Sequence, residues 1–199
     1  MKILIACERS GKVRAAFRKL GHEAWSCDVE EADDQSIYHF TNKVQEVIEQ
    51  PWDMMIAFPP CTYLCSSGLH WNKRVEGRPA QTEEALAFVQ YLMDANIPRI
   101  AIENPIGCIS TRIRKPEQYI QPWEFGHDAQ KKTCLWLQGL PNLLPTKYVK
   151  GKQVGKKIIY GNQTPSGQNK LGPSSDRAKL RSETYQGIAD AMAAQWGEF

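Results

Sequence analysis

The sequence predicts an α/β fold, a mostly parallel twisted sheet flanked by helices. Two observations carry this. Short apolar runs alternate with stretches of helical periodicity through the first half of the chain, the pattern of βαβ units. The residues with chemical capacity fall just after those runs, at Glu8–Gly11, Asp28, Pro59–Cys61 and Glu103–Asn104, where parallel sheets bind their ligands.

In chain order, Lys2–Ala6 is a short apolar strand followed by the turn-like Glu8-Arg9-Ser10-Gly11. Val13, Ala16, Phe17 and Leu20 then recur at helical spacing, and Gly21 closes that helix. Glu23–Cys27 is the next strand and ends at Asp28; Lys43–Glu49 is a short helix. Asp53–Ala57 is a buried strand that stops at Pro59-Pro60, because neither proline can donate to a ladder. Thr82–Ala95 is a helix with Ala85, Phe88, Val89 and Leu92 on one face, and Arg99–Ile102 is a strand leading into Glu103-Asn104-Pro105. Lys132–Leu137 reads as a strand, Leu140–Asp176 as loop with room for one hairpin, and Ser182–Trp196 as a final helix.

A chain of 199 residues fits a single domain spanning 1–199, and 42% hydrophobic with 24% charged residues is a globular composition rather than a disordered or fibrous one. No apolar run is long enough to span a bilayer, so no membrane partner is expected. Met1–Ala6 is too short for a signal peptide and runs directly into Glu8 and Arg9, which predicts a cytoplasmic protein with its six cysteines reduced. Cys61, Cys65 and His70 lie close together, but no second clustered pair completes four ligands, and no metal is expected.

The net charge of +3 conceals an asymmetry. Pro145–Arg181 holds nine basic residues against Asp176 alone and carries +8, leaving −5 on the rest. A basic, loop-rich insertion at 140–181 on a mildly acidic body predicts a polyanionic partner, with Lys156 and Lys157 among the residues that would meet it; a solvated loop is the plainer reading.

Three motifs carry chemistry. In Ala6-Cys7-Glu8-Arg9-Ser10-Gly11, Gly11 permits a tight strand-to-helix turn, and Asp28 follows at the distance where nucleotide-binding folds place a ribose-binding carboxylate. In Pro59-Pro60-Cys61, two prolines stiffen the approach to a thiol at the mouth of the sheet, which suits a nucleophile that must meet one atom accurately. Glu103-Asn104-Pro105 sets an acid at the next strand end, where a raised pKa would let it donate a proton.

These motifs resemble those of the DNA cytosine-5 methyltransferases, particularly the short phage and prophage versions. Ala6–Gly11 resembles the family's first, cofactor-binding motif, Pro59-Pro60-Cys61 with Gly68 its nucleophile motif, and Glu103-Asn104 its cytosine-holding motif. Gln121–Gly126 with Lys132–Leu137 resembles a segment of the short members, and Tyr185–Met192 resembles the closing helix. The resemblance implies a Rossmann-like, S-adenosyl-L-methionine-dependent methyltransferase fold in a bacterial host cell, encoded by a phage or prophage in the setting of restriction and modification. It implies Cys61 and Glu103 as catalytic residues, and Ala6, Cys7, Glu8, Ser10, Gly11, Asp28 and Pro59 around the cofactor. Pro60, Asn104, Lys156 and Lys157 would contact DNA, double- or single-stranded. The chain departs from the pattern at Thr62, Cys65 and Asn42, and Lys131 and Lys132 stand where an arginine-rich motif is expected. Residues 140–181 take the place of a large target-recognition domain, so a protein partner could supply recognition. Two alternatives stay open: the same C5 chemistry on a free nucleotide or RNA, and an inactive nucleic-acid-binding or anti-defence module.

Overall fold

The structure is a computed structural model and describes residues 1–172, 174 and 177–199. The expected sheet is present. Strands β1 (Lys2–Ala6), β2 (Glu23–Asp28), β3 (His39–Thr41), β4 (Met54–Ala57), β5 (Ile100–Pro105), β6 (Gln118–Ile120) and β7 (Thr133–Gln138) form one seven-stranded sheet in the order β3-β2-β1-β4-β5-β7-β6. β1 to β5 run parallel, while β7 is antiparallel to both β5 and β6. The order reverses between β1 and β4, so the connections leave on opposite faces and a crevice opens at the carboxyl ends. This is a Rossmann-like α/β architecture.

Both faces are covered, which is why the strands read as continuous apolar runs. Along β1, Ile3 and Ile5 pack with Val13 and Phe17 of α1 (Lys12–Lys19) and with Ile188, Met192 and Trp196 of α6 (Gln186–Trp196). Leu4 and Ala6 face the other way, toward Leu86, Val89 and Leu92 of α3 (Arg78–Met93), a helix preceded by the short α2 (Ser66–Leu69). The two-residue alternation of the pleat thus builds two cores from one strand.

Several boundaries differ from expectation. Lys43–Glu49 is a single 3-10 turn at Val44–Glu46, since the chain beyond it is pinned by the Trp52 indole donating to the Val47 carbonyl at 2.8 Å. Leu20 lies past the end of α1 and is exposed, because Gly21 at φ +84° turns the chain there. β3 and β6, three residues each, have too little length for an alternation signal. A four-residue helix, α4 (Ile109–Arg112), follows β5. The hairpin allowed for in the loop region is β8 (Lys152–Val154) with β9 (Lys157–Ile159). The helix expected over Ser182–Trp196 starts only at Gln186, as α6, and a separate α5 (Arg177–Ser182) precedes it with a break at Glu183–Tyr185. The break is held by polar contacts: Lys131 Nζ donates to the Glu183 carbonyl, Lys12 pairs with the Glu183 carboxylate at 2.8 Å, and Gly187 N–H donates to His127 Nε2. No helix among the described residues is long and apolar enough to cross a membrane.

Candidate active site

The carboxyl ends of β1, β2, β4 and β5 gather most of the residues that the sequence singles out. Cys61 follows β4 in a loop held from every side. Its own carbonyl accepts the N–H groups of Leu64 and Cys65 at 3.0 and 2.9 Å, closing a tight turn. Arg78 of α3 donates to the Thr62 carbonyl, and Thr82 donates to that of Tyr63. The loop is also laced to the segment after β5 through Ser66 N–H to Ile106 and Cys108 N–H to Leu64. Gly107 makes that approach possible, since a Cβ there would lie 1.9 Å from the Leu64 carbonyl oxygen. A nucleophile mounted this way has little freedom to miss its target.

The Cys61 and Cys65 thiols act on one another; Ser67 Oγ lies 3.2 Å from the Cys65 sulfur, and Gly68 N–H donates to the Cys65 carbonyl at 2.9 Å. The interaction with Cys61 favours negative charge on Cys65 and pulls its pKa down; the same interaction and partial burial push the Cys61 thiol up. The pair therefore shares one proton, with the charge resting on Cys65. The sequence marks Cys65 as close to Cys61 and His70 and as a departure from a pattern; the turn that brings it back onto Cys61 is a loop property that periodicity does not reveal.

Glu103 stands at the end of β5, opposite Leu135 of β7. Desolvation raises its pKa, opposed by the Lys131 charge and a Thr133 hydrogen bond. Lys131 also acts on Cys61, so one cation faces both the thiol and the acid. Glu103, Lys131 and Thr133 line a pocket walled by Phe58, Ile120, Pro122, Tyr185, Ile188 and Met192. Lys132 lies elsewhere, its Nζ 4.6 Å over the exposed Tyr119 ring.

Other expected residues take internal roles. Asn104, placed on the substrate by the sequence, is 1% exposed and donates its amide to the Pro59 carbonyl at 2.7 Å. Pro59 is buried and Pro60 exposed beside Cys61. Ala6 is fully buried, and its carbonyl accepts Phe58 N–H. Glu8 turns inward and caps α1, accepting Val13 N–H at 2.7 Å and Arg14 N–H at 3.3 Å; burial lifts its pKa to about 7. Gly11 sits beneath the Arg14–Asp34 ion pair, where a Cβ would collide with both side chains, so its glycine serves packing and a φ of +71° rather than an open backbone. For Glu8 and the Asn104 amide the reason is the same: a buried polar group needs a partner, and here the partner is inside the protein.

Cys7, Ser10 and Asp28 remain at the rim. Cys7 holds φ +58°, rare for a residue with a side chain. Asp28 Oδ1 accepts Glu30 N–H, and among the described residues Oδ2 takes no hydrogen bond. A carboxylate with an unengaged oxygen at this strand end is the acceptor that a ribose needs, so the donor set fits a nucleoside cofactor. Asn42 follows β3 beside it, its amide on Glu46. Lys156 and Lys157 lie on the separate β8–β9 hairpin, and Lys157 Nζ donates to the Ser166 carbonyl.

Among solved structures, the chain is similar to a candidate DNA modification methyltransferase encoded within an E. coli prophage, with a TM-score of 0.47 and 11% identity over 75% of this chain and 52% of that one. The chain thus spans about half the length of that protein. No family model and no curated protein matches it.

Proposed function

We propose that the chain transfers a methyl group from S-adenosyl-L-methionine to C5 of cytosine in DNA through a transient bond between Cys61 and C6. The observation that carries this reading is the grouping of a rigidly held thiol, a desolvated acid and one cation, Lys131, that acts on both.

Cys61 passes its proton to the neighbouring Cys65, and its sulfur adds to C6 of a base turned out of the stack. Glu103, whose pKa desolvation raises, gives its proton to N3 as the ring takes up the electron pair. C5 is then nucleophilic. Asp28 and the Cys7–Ser10 turn would hold the cofactor, which when bound would offer C5 a methyl group on a sulfonium and leave as the thioether. The C5 proton leaves to water, the C5–C6 double bond re-forms, and Cys61 is expelled. N3 returns its proton to Glu103, and Cys65 returns its own to Cys61. Lys131 offsets the negative charge on sulfur.

The basic 140–181 segment would hold phosphates, which position rather than specify, so a short site or a partner that supplies recognition follows. The test is transfer of a labelled methyl group to DNA by wild type and by Cys61→Ser. The variant should lose transfer and keep cofactor binding by calorimetry, because the thiol acts after binding. Transfer retained by the variant would overturn the mechanism.

A further inference from the structure

Residues 145–172 contain six lysines (Lys147, Lys150, Lys152, Lys156, Lys157 and Lys170) and no acidic residue. Among the described residues none of the six forms a salt bridge. This stretch is folded back onto the pocket wall. Val149 N–H donates to the Trp123 carbonyl at 2.8 Å, and Lys147 forms a bridge with Phe125. The contact assembles three aromatic rings far apart in sequence. Trp123 stacks on Tyr160 with 12° between planes and 5.9 Å between centroids, and Tyr148 flanks Trp123 at 6.0 Å. Tyr148 is 67% exposed. A Cβ on Gly151 would lie 3.1 Å from the Tyr160 ring, so the backbone that joins Lys150 to Lys152 runs beside that ring. Trp123 directly follows Pro122, which lines the Glu103 pocket.

Flat rings carried on a lysine-rich strap match unpaired bases joined by phosphates: the rings stack on bases of any sequence and the lysines meet the backbone. A duplex offers the lysines its phosphates but withholds base faces from the rings. We propose that Trp123, Tyr148 and Tyr160, with Lys150 and Lys152, form a stacking platform for bases of a single DNA strand that flank the base entering the Glu103 pocket. This rests on the nucleic-acid reading of the site but not on methyl transfer.

The test is a fluorescence-anisotropy titration of the full chain with a labelled oligothymidylate, which carries no cytosine and so separates binding from chemistry. Wild type should bind it more tightly than a duplex of equal length. Tyr148→Ala should weaken binding about tenfold, while Tyr148→Phe, which keeps the ring, should not. Lys150→Ala with Lys152→Ala should weaken binding and lower the slope of log K against log salt by about 2. Equal affinity for duplex and single strand, or a Tyr148→Ala variant that binds like wild type, would overturn the platform. Methyl transfer absent with these results intact would remove the chemical reading and leave the platform standing.

Discussion

The Asn104 side-chain amide donates to the Pro59 carbonyl at 2.7 Å and ties the end of β5 to the turn that carries Cys61. Among the described residues Asn104 Oδ1 is buried without a hydrogen bond, so the bond its amide makes is the side chain's one polar tie. The thiol and the acid thereby sit on strand ends that cannot drift apart independently.

Asn104→Leu should cost about 1–3 kcal/mol, the usual range when a buried carbonyl loses its donor. Urea unfolding measures this. A loosened turn should also speed alkylation of Cys61, whereas unchanged stability and alkylation would mean that the tie holds nothing.

The sequence displayed Cys61 and Glu103 because a strand end followed by Pro-Pro, or by Asn-Pro, is local punctuation. It displayed the sheet because each central strand is apolar on both faces. What it could not display is where polar side chains find partners. Glu8 and Asn104 look like ligand contacts in a motif, yet Glu8 caps α1 and Asn104 braces a loop. Gly11 is read as room for a ligand when its space is taken by Arg14 and Asp34. Cys65 reaches Cys61 through loop geometry without periodicity, and of the two lysines the sequence offers in place of an arginine-rich motif the fold sets Lys131 where it acts on both thiol and acid.

Cys65 carries the lower pKa of the thiol pair, and Cys61 the higher. Near neutral pH, iodoacetamide should modify Cys65 before Cys61. Cys65→Ser removes the acceptor that raises Cys61, so Cys61 should alkylate faster in that variant. Mass-spectrometric mapping over time decides; Cys61 reacting first, with no effect of the substitution, would contradict the shared proton.

Lys131 lowers the pKa of both Cys61 and Glu103. Lys131→Met should therefore move both limbs of the kcat/KM profile to higher pH: thiolate forms later and the acid stays protonated longer. It should also lower kcat by about tenfold or more through the lost charge. A profile that shifts on neither limb would separate Lys131 from the reaction.

Glu8 titrates near 7 in the folded chain against an ordinary value of 4.5. Between those values the folded state binds more protons than the unfolded one, so stability falls as pH rises from about 4.5 to about 7. Glu8→Gln should flatten that slope in thermal unfolding. An unchanged slope would assign the pH dependence to other groups.

The central claim is a covalent bond from Cys61 to C6 of cytosine. Incubation with DNA containing 5-fluorocytosine and S-adenosyl-L-methionine, followed by a denaturing gel, tests it directly, because fluorine at C5 leaves no proton to lose and Cys61 cannot be expelled. The account predicts a protein–DNA band that requires the cofactor and is absent with Cys61→Ser. No band on single- or double-stranded DNA, from protein shown to bind the cofactor, would contradict it.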